Sequence, residues 1–154
     1  MNLYLRELTK DDYELTMTWR SDPDIYQGFY TQTSPLTWEE HINWIQLRNQ
    51  DWRTFIVVLK EGETERRIGV FTIGQLDHWC PEIGYYIGEK SLWGKGYGKQ
   101  AVKLGLDYIK NYGREYAHTT VLDSNIRSVN LLLGLGFQKL GPARPGESWY
   151  QRKF

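Results

Sequence analysis

The sequence predicts an α/β fold in which a mixed central β-sheet of about seven strands is flanked by helices. Three observations carry that prediction. Short runs rich in β-branched and aromatic residues recur along the 154 residues, a long segment after Gly96 has helical periodicity, and tight turns alternate with helix-length connections. Antiparallel hairpins combined with a helical crossover need strands running both ways, hence a mixed sheet.

The elements follow in order. Residues 2–7 set Leu3 and Leu5 between polar neighbours, the period of a strand. Thr9 ahead of Lys10-Asp11-Asp12 caps a helix to about Arg20, and Asp22-Pro23-Asp24 opens a short second one with proline at its first position. Thr37 with Glu40 three residues later is a capping box, starting a helix through Ile42, Ile45 and Leu47 to about Arg48. Strands at 54–59 and 68–73 flank the charged turn Glu61-Gly62-Glu63-Thr64, and a third, from Glu82 to Ile87, leads to a glycine-rich turn. Beyond it Ala101, Val102, Gly105, Tyr108, Ile109 and Tyr112 share one helical face, closed by Gly113. A strand from His118 to Leu122, a helix at 123–133 and a hairpin at 137–140 and 149–152 around Pro142 and Pro145 complete the chain. No linker, repeat or low-complexity tract divides it, so one domain over residues 1–154 is expected.

Composition excludes several function classes. Lys plus Arg and Asp plus Glu stand at 19 each, so no basic excess points to nucleic acid; the compact cluster Glu65-Arg66-Arg67 is expected to cap a hairpin. Cys80 is the sole cysteine, which rules out an intramolecular disulfide and a multi-cysteine metal site, and His41, His78 and His118 lack metal-ligand spacing. The start of the chain lacks the apolar stretch of a signal peptide and no apolar run approaches a membrane span, so a cytoplasmic protein with no membrane partner is expected. Seven Trp and eleven Tyr are a heavy aromatic load for so short a chain: they fill core and surface, or some of them line a cleft.

The stretch Gly94-Lys95-Gly96-Tyr97-Gly98-Lys99 lies between a strand and an amphipathic helix. Free N–H groups in a helix's first turn, with the macrodipole, attract anions, and glycines let the backbone come close to a phosphate. Lys95 and Lys99 add cations, or are plain solvated lysines. The P-loop pattern fails because Gly96 follows Lys95. Gly96 to Ala101 fits the dinucleotide pattern G-x-G-x-x-A, but several residues separate Ile87 from Gly94, and only about thirty follow Asp123, too few for a doubly wound sheet.

The run from Glu82 through Ala101, together with Asn125 to Phe137, resembles the GNAT superfamily of acyl-coenzyme A N-acyltransferases. The superfamily signature Q/R-x-x-G-x-G/A falls on Trp93, then Gly94-Lys95, then Gly96-Tyr97-Gly98, with Trp93 replacing Gln or Arg. That replacement is similar to the branch holding the ribosomal-protein N-terminal and some nucleotide-aminosugar acetyltransferases. Asn125-Ile126-Arg127-Ser128 with Leu131 to Phe137 is similar to the family's N-x-x-S … G-F helix.

The resemblance implies an N-acetyltransferase that moves acetyl from acetyl-CoA to a primary amine by direct attack. The acceptor is a protein N-terminus, an aminosugar or another small amine, and a homodimer is compatible with it. By the same resemblance Tyr86, Ile87 and Gly88 pair with the pantetheine arm through backbone groups. Gly94, Lys95, Gly96, Tyr97, Gly98 and Lys99 wrap the pyrophosphate, and Asn125 bonds the pantetheine, although a helix N-cap explains Asn125 equally well. Glu82 is the candidate base, against a plain ion pair. The family's tyrosine acid falls on Leu132, leaving Tyr86, Tyr97 or water, and leaving room for a non-catalytic acyl-CoA sensor. Cys80 is expected to be inert and His118 to pack in its strand, while His78 can face the cleft. The acceptor side is expected from Trp19-Arg20, Tyr26, Phe29-Tyr30, Trp38, His41 and Trp44.

Overall fold

The computed structural model describes residues 2–29, 32–48 and 50–154. Strands β1 (Asn2–Glu7), β2 (Trp52–Glu61), β3 (Thr64–Gly74), β4 (Glu82–Ile87), β5 (Tyr116–Leu122), β6 (Gln138–Arg144) and β7 (Glu147–Lys153) form one sheet in the order β1-β2-β3-β4-β5-β7-β6. Every neighbouring pair is antiparallel except β4 and β5. The expected mixed sheet is therefore present, with helices α1 (Tyr13–Arg20), α2 (Pro23–Tyr26), α3 (Trp38–Arg48), α4 (Tyr97–Tyr112) and α5 (Ile126–Gly134). Among the described residues no helix is long and apolar enough to cross a membrane.

Strand β2 shows why the central strands read as unbroken apolar runs. Phe55, Val57 and Leu59 enter a core with Phe71, Ile83, Ala101, Val102 and Leu106, whereas Ile56 and Val58 enter a second core with Trp19, Ile25 and Val70. Side chains alternate between faces, so a strand covered on both sides is apolar at every position. Helices α4 and α5 cover one face; α1 and α2 cover the other. Gly105 lets α4 come down on β3, since a Cβ there would stand 2.1 Å from the Phe71 ring.

The capping box at Thr37 and the helix start at Asp22 hold in detail. Thr37 Oγ1 accepts from the Glu40 N–H at 3.1 Å and Glu40 Oε1 accepts from the Thr37 N–H at 3.1 Å. Asp22 Oδ1 caps α2 by accepting from the Asp24 N–H at 3.0 Å.

Several boundaries differ, each for a physical reason. The helix after Thr9 begins as a 3-10 turn, Lys10–Asp12, before α1. The β2–β3 ladder runs past its apolar centre to a two-residue turn, because backbone pairing continues whatever the side chains are. Glu65-Arg66-Arg67 consequently lies inside β3 and does not cap a hairpin. On α4 the buried face takes Leu106, at 2% exposure, and leaves Tyr112 at 41%. Pro142 sits within β6, at the sheet edge and beside a register shift, where a missing N–H costs nothing.

Asp12 ties this frame together. Its side chain has no exposure and receives both guanidinium nitrogens of Arg6 at 2.8 Å, Arg67 at 3.1 Å and the Thr9 N–H at 2.9 Å. Burial alone would raise its pKa, but the hydrogen bonds from Arg6, Thr9 and Arg67 outweigh burial and hold it well below the usual carboxylate range. A carboxylate depressed this way contributes stability above its unfolded pKa and loses it as pH falls toward the folded value. Asp12→Asn is expected to cost about 3 kcal/mol at neutral pH by urea denaturation, with the gap from wild type shrinking below about pH 4.

Candidate active site

Strands β4 and β5 share a single register pair, Glu82 with His118. Two further links tie their starts, the His118 N–H to Pro81 O at 3.0 Å and Thr119 Oγ1 to Ile83 O at 2.8 Å. Past that point the strands part, and a cleft of about 1080 Å³ opens, walled by Gly84 to Ile87 on one side and Thr119 to Leu122 on the other. Its size stands at the top of the range for ligand sites, enough for a long ligand and a second molecule.

Backbone direction along β4 follows from parity. The Gly88 N–H donates to Ile68 O at 2.8 Å, so residues 84, 86 and 88 turn their backbone groups to β3. Ile83, Tyr85 and Ile87 turn theirs to the cleft. Ile87 O accepts from the Trp93 indole Nε1–H at 2.8 Å. Of the expected backbone contacts Ile87 thus faces the opening, while Tyr86 and Gly88 do not, and Gly88 is covered by the Trp19 ring. Tyr85 takes the place expected of Tyr86. Only a known hydrogen bond, here Gly88 to Ile68, fixes that parity.

The glycine turn stands at one end of the cleft. Gly94 has φ of 78° and Gly96 of 85°, in the left-handed region that favours glycine, and a Cβ on either would meet nothing within 4 Å. Gly96 is the N-cap of α4 and offers no side chain, and the first helical hydrogen bond runs from the Gln100 N–H to Gly96 O. The amides of Tyr97, Gly98 and Lys99 therefore precede the helix's own ladder, at the mouth of a macrodipole. Gly94, Gly96, Tyr97, Gly98 and Lys99 all line the cleft, whereas Lys95 is exposed and does not. Trp93, the departure from the family pattern, ties this turn to the end of β4 through its indole and carries Arg127 4.9 Å above its ring.

On the far side, Asn125 caps α5, its Oδ1 accepting from the Ser128 N–H at 3.3 Å, and it lines the cleft as well. Leu132 is fully buried, so the family's acid position is plain core. A tyrosine reaches the same helix from β4 instead: Tyr85 Oη lies 2.6 Å from Ser128 Oγ. Burial pushes Tyr85 up to about 12, with the Ser128 hydrogen bond opposing. Tyr86 is likewise raised by burial, with Arg20 opposing.

Glu82 is 38% exposed and its Oε1 is 3.7 Å from His118 Nε2. His118 Nδ1 lies 2.9 Å from Cys80 O, a pure acceptor, so Nδ1 carries a proton and Nε2 is the ring nitrogen that faces Glu82. Cys80 is buried outside the cleft, with its pKa raised by burial, and His78 is exposed and also outside it.

Of the expected acceptor-side residues, Arg20, Phe29 and Trp44 line the cleft. Trp19 is core, Tyr26 and Trp38 lie elsewhere, and Tyr30 falls outside the described residues. His41 is 1% exposed and works behind the wall. Thr16 Oγ1 donates to the Asp12 and Tyr13 carbonyls, so it accepts from His41 Nε2 at 2.9 Å, which leaves Nδ1 to accept from Arg20 at 3.3 Å. Arg48 and Trp52 join this wall unforeseen. The spacing of Trp44 and Arg48, one helical turn apart, was the signal available.

An α/β sheet that parts to bare a strand edge, with an uncapped helix end at the mouth, defines a class of protein built to hold an extended anionic ligand. A family profile described as an acetyltransferase (GNAT) domain matches residues 2–138, and the chain belongs to the GNAT acetyltransferase family. An uncharacterized protein of Methanocaldococcus jannaschii is 44% identical over 151 residues, 97% of this chain but 31% of that protein, so the chain spans about a third of its relative's length. An uncharacterized N-acetyltransferase of Bacillus licheniformis is 30% identical over 94% of this chain and 84% of its own. Among solved structures, a Methanocaldococcus jannaschii domain superposes with a TM-score of 0.95 at 42% identity, covering 99% of both chains. The aminoglycoside acetyltransferase AAC(6')-Ib in complex with coenzyme A shares the fold alone, with TM-score 0.84, 17% identity and coverage of 99% and 95%.

His41 makes this wall sensitive to acid. Burial, then the neighbouring Arg20, lower its pKa from 6.5 to about 4, while a backbone contact at Tyr13 opposes them. The unfolded chain therefore binds a proton between these values that the fold refuses, and stability falls as pH drops through that window. Urea denaturation is expected to show a loss on the order of 2 kcal/mol between pH 6.5 and about pH 4.5, absent in His41→Gln.

Proposed function

We propose that this chain, acting as one domain over residues 1–154, is an N-acetyltransferase that passes acetyl from acetyl-CoA to a primary amine by direct attack. The observation that carries the reading is the uncapped first turn of α4 at the mouth of a cleft along which β4 bares its edge. The acceptor is a small molecule or a peptide amine; the coenzyme A held by the distant aminoglycoside enzyme supports the co-substrate.

The residues fit that co-substrate. The amides of Tyr97, Gly98 and Lys99, approached past Gly94 and Gly96, suit a diphosphate, with Lys99 adding charge. The backbone of Tyr85 and Ile87 suits an amide-bearing arm added as an extra strand, and the Asn125 amide suits its carbonyls. The thioester supplies the acetyl group and a thiolate leaving group. As the new N–C bond forms and C–S breaks, one proton must leave the amine and one must reach the sulfur. Glu82, with His118 behind it, is the group placed to take the first. Tyr85 answers the missing tyrosine at Leu132. Its phenol keeps its proton at neutral pH, and full transfer to a thiol of pKa about 8.5 would run uphill, so it acts as a hydrogen-bond donor to the departing thiolate, which then takes its proton from solvent.

The sensor reading rests on Leu132 alone, and a thiol-release assay over a panel of primary amines separates the two. Turnover is expected with at least one amine, and Tyr85→Phe should lower kcat at least about tenfold with little change in the acetyl-CoA KM. Binding without turnover of any amine would favour the sensor. Gly98 tests the cofactor site: its φ is not positive, and a Cβ there meets Leu131 at 3.4 Å and Ile87 at 3.8 Å, ordinary contacts inside the cleft. Gly98→Ala is expected to keep or raise the melting temperature while weakening acetyl-CoA binding at least about tenfold in calorimetry. Unchanged affinity would remove the turn from the site.

A further inference from the structure

Two arginines face the cleft from the acceptor side. Arg20, at 8% exposure, stacks its guanidinium 3.9 Å from the centre of the Trp44 ring. Arg48, half-buried, lies 4.5 Å from the same ring and 3.5 Å from that of Trp52. Among the described residues neither has a carboxylate within 4.0 Å. Such charges taken from water are costly unless paired, and stacking on indole compensates only in part.

The geometry of stacking matters. A guanidinium carbon 3.5 to 3.9 Å from a ring centre gives its charge to the ring face, and its five N–H groups outnumber the acceptors it meets there. Arg20 gives one N–H to His41 Nδ1, a contact that requires the ring to be neutral and that fixes the fork. Glu82 lines the same wall, close enough to act electrostatically on Arg48. The remaining charges around the cleft are largely engaged: Asp24 pairs with Lys90, and Glu147 with Arg144. Gln32 adds one more unmet group, a buried Oε1 with no hydrogen-bond partner among the described residues. The wall thus offers one carboxylate and two fixed guanidinium forks, a mismatch for a polycation and a match for an ammonium with an anion beside it.

We propose that the acceptor amine also carries an anionic group, a carboxylate or a phosphate, which Arg20 and Arg48 hold while Glu82 faces the amine. This rests on the acetyltransferase reading and narrows its acceptor. Matched amines differing only in the anion test it: glucosamine 1-phosphate against glucosamine for phosphate, β-alanine against its amide for carboxylate, and spermidine as a cation. One anionic member is expected to exceed its neutral partner at least about tenfold in kcat/KM, and which pair responds names the anion. Arg48→Gln should cut that ratio at least about tenfold through KM, and Arg48→Lys, which keeps the charge without the fork, should cut it less. Equal rates within both pairs, preference for spermidine, or a ratio indifferent to Arg48→Gln would overturn the proposal.

Should none of the five amines react, calorimetry on acetyl-CoA-saturated protein decides between the two readings, because the diphosphate site is then filled. Binding of inorganic pyrophosphate or phosphate that Arg48→Gln abolishes would uphold the anion site, and its absence would sink it. Lack of affinity for acetyl-CoA would instead remove the reading on which the proposal rests.

Discussion

The fold turns on one contact, the parallel pairing of β4 with β5 at Glu82 and His118, which goes no further. Two parallel strands joined only at their starts part beyond that point, and the rest of the ladder edge of β4 is left without a strand partner between two covered faces. A bare edge inside a protein is a liability unless something pairs with it. Here it runs toward the first-turn amides of α4, so hydrogen-bonding groups of two kinds, strand edge and helix end, line one cleft.

Much of this was legible in the sequence because its causes are local. Capping at Thr37 and Asp22, the turn glycines at Gly94 and Gly96, and the strand from Glu82 to Ile87 all depend on neighbours within a few residues. The amphipathic face of α4 was legible too, save for Leu106, which is buried, and Tyr112, which ends the helix half in solvent. The extent of β2 and β3 was not, since a ladder continues on backbone pairing after its apolar side chains stop.

The site was legible in its anion-binding half and less so elsewhere. The resemblance points to Tyr86, and the sequence alone does not separate it from Tyr85, because the parity of backbone groups along a strand shows only from a known hydrogen bond, here Gly88 to Ile68. Arg48 and Trp52 belong to different elements, α3 and β2, and only the fold stacks them, as it also brings His41 behind Arg20. Tyr85 meets Ser128 across forty-three positions of sequence, a pairing no local pattern records. Trp93 is the instructive middle case: visible as a departure from the family signature, it shows its role only when its indole reaches Ile87 O.

The central claim is that the strand edge and the helix end grip one ligand together. Amide chemical shifts followed by NMR during titration with acetyl-CoA address it directly. Concerted shifts of the Tyr85 and Ile87 amides with those of Tyr97, Gly98 and Lys99, at one common dissociation constant, are the result this account requires. Saturation that moves the α4 amides and leaves β4 untouched, or moves neither, would contradict it.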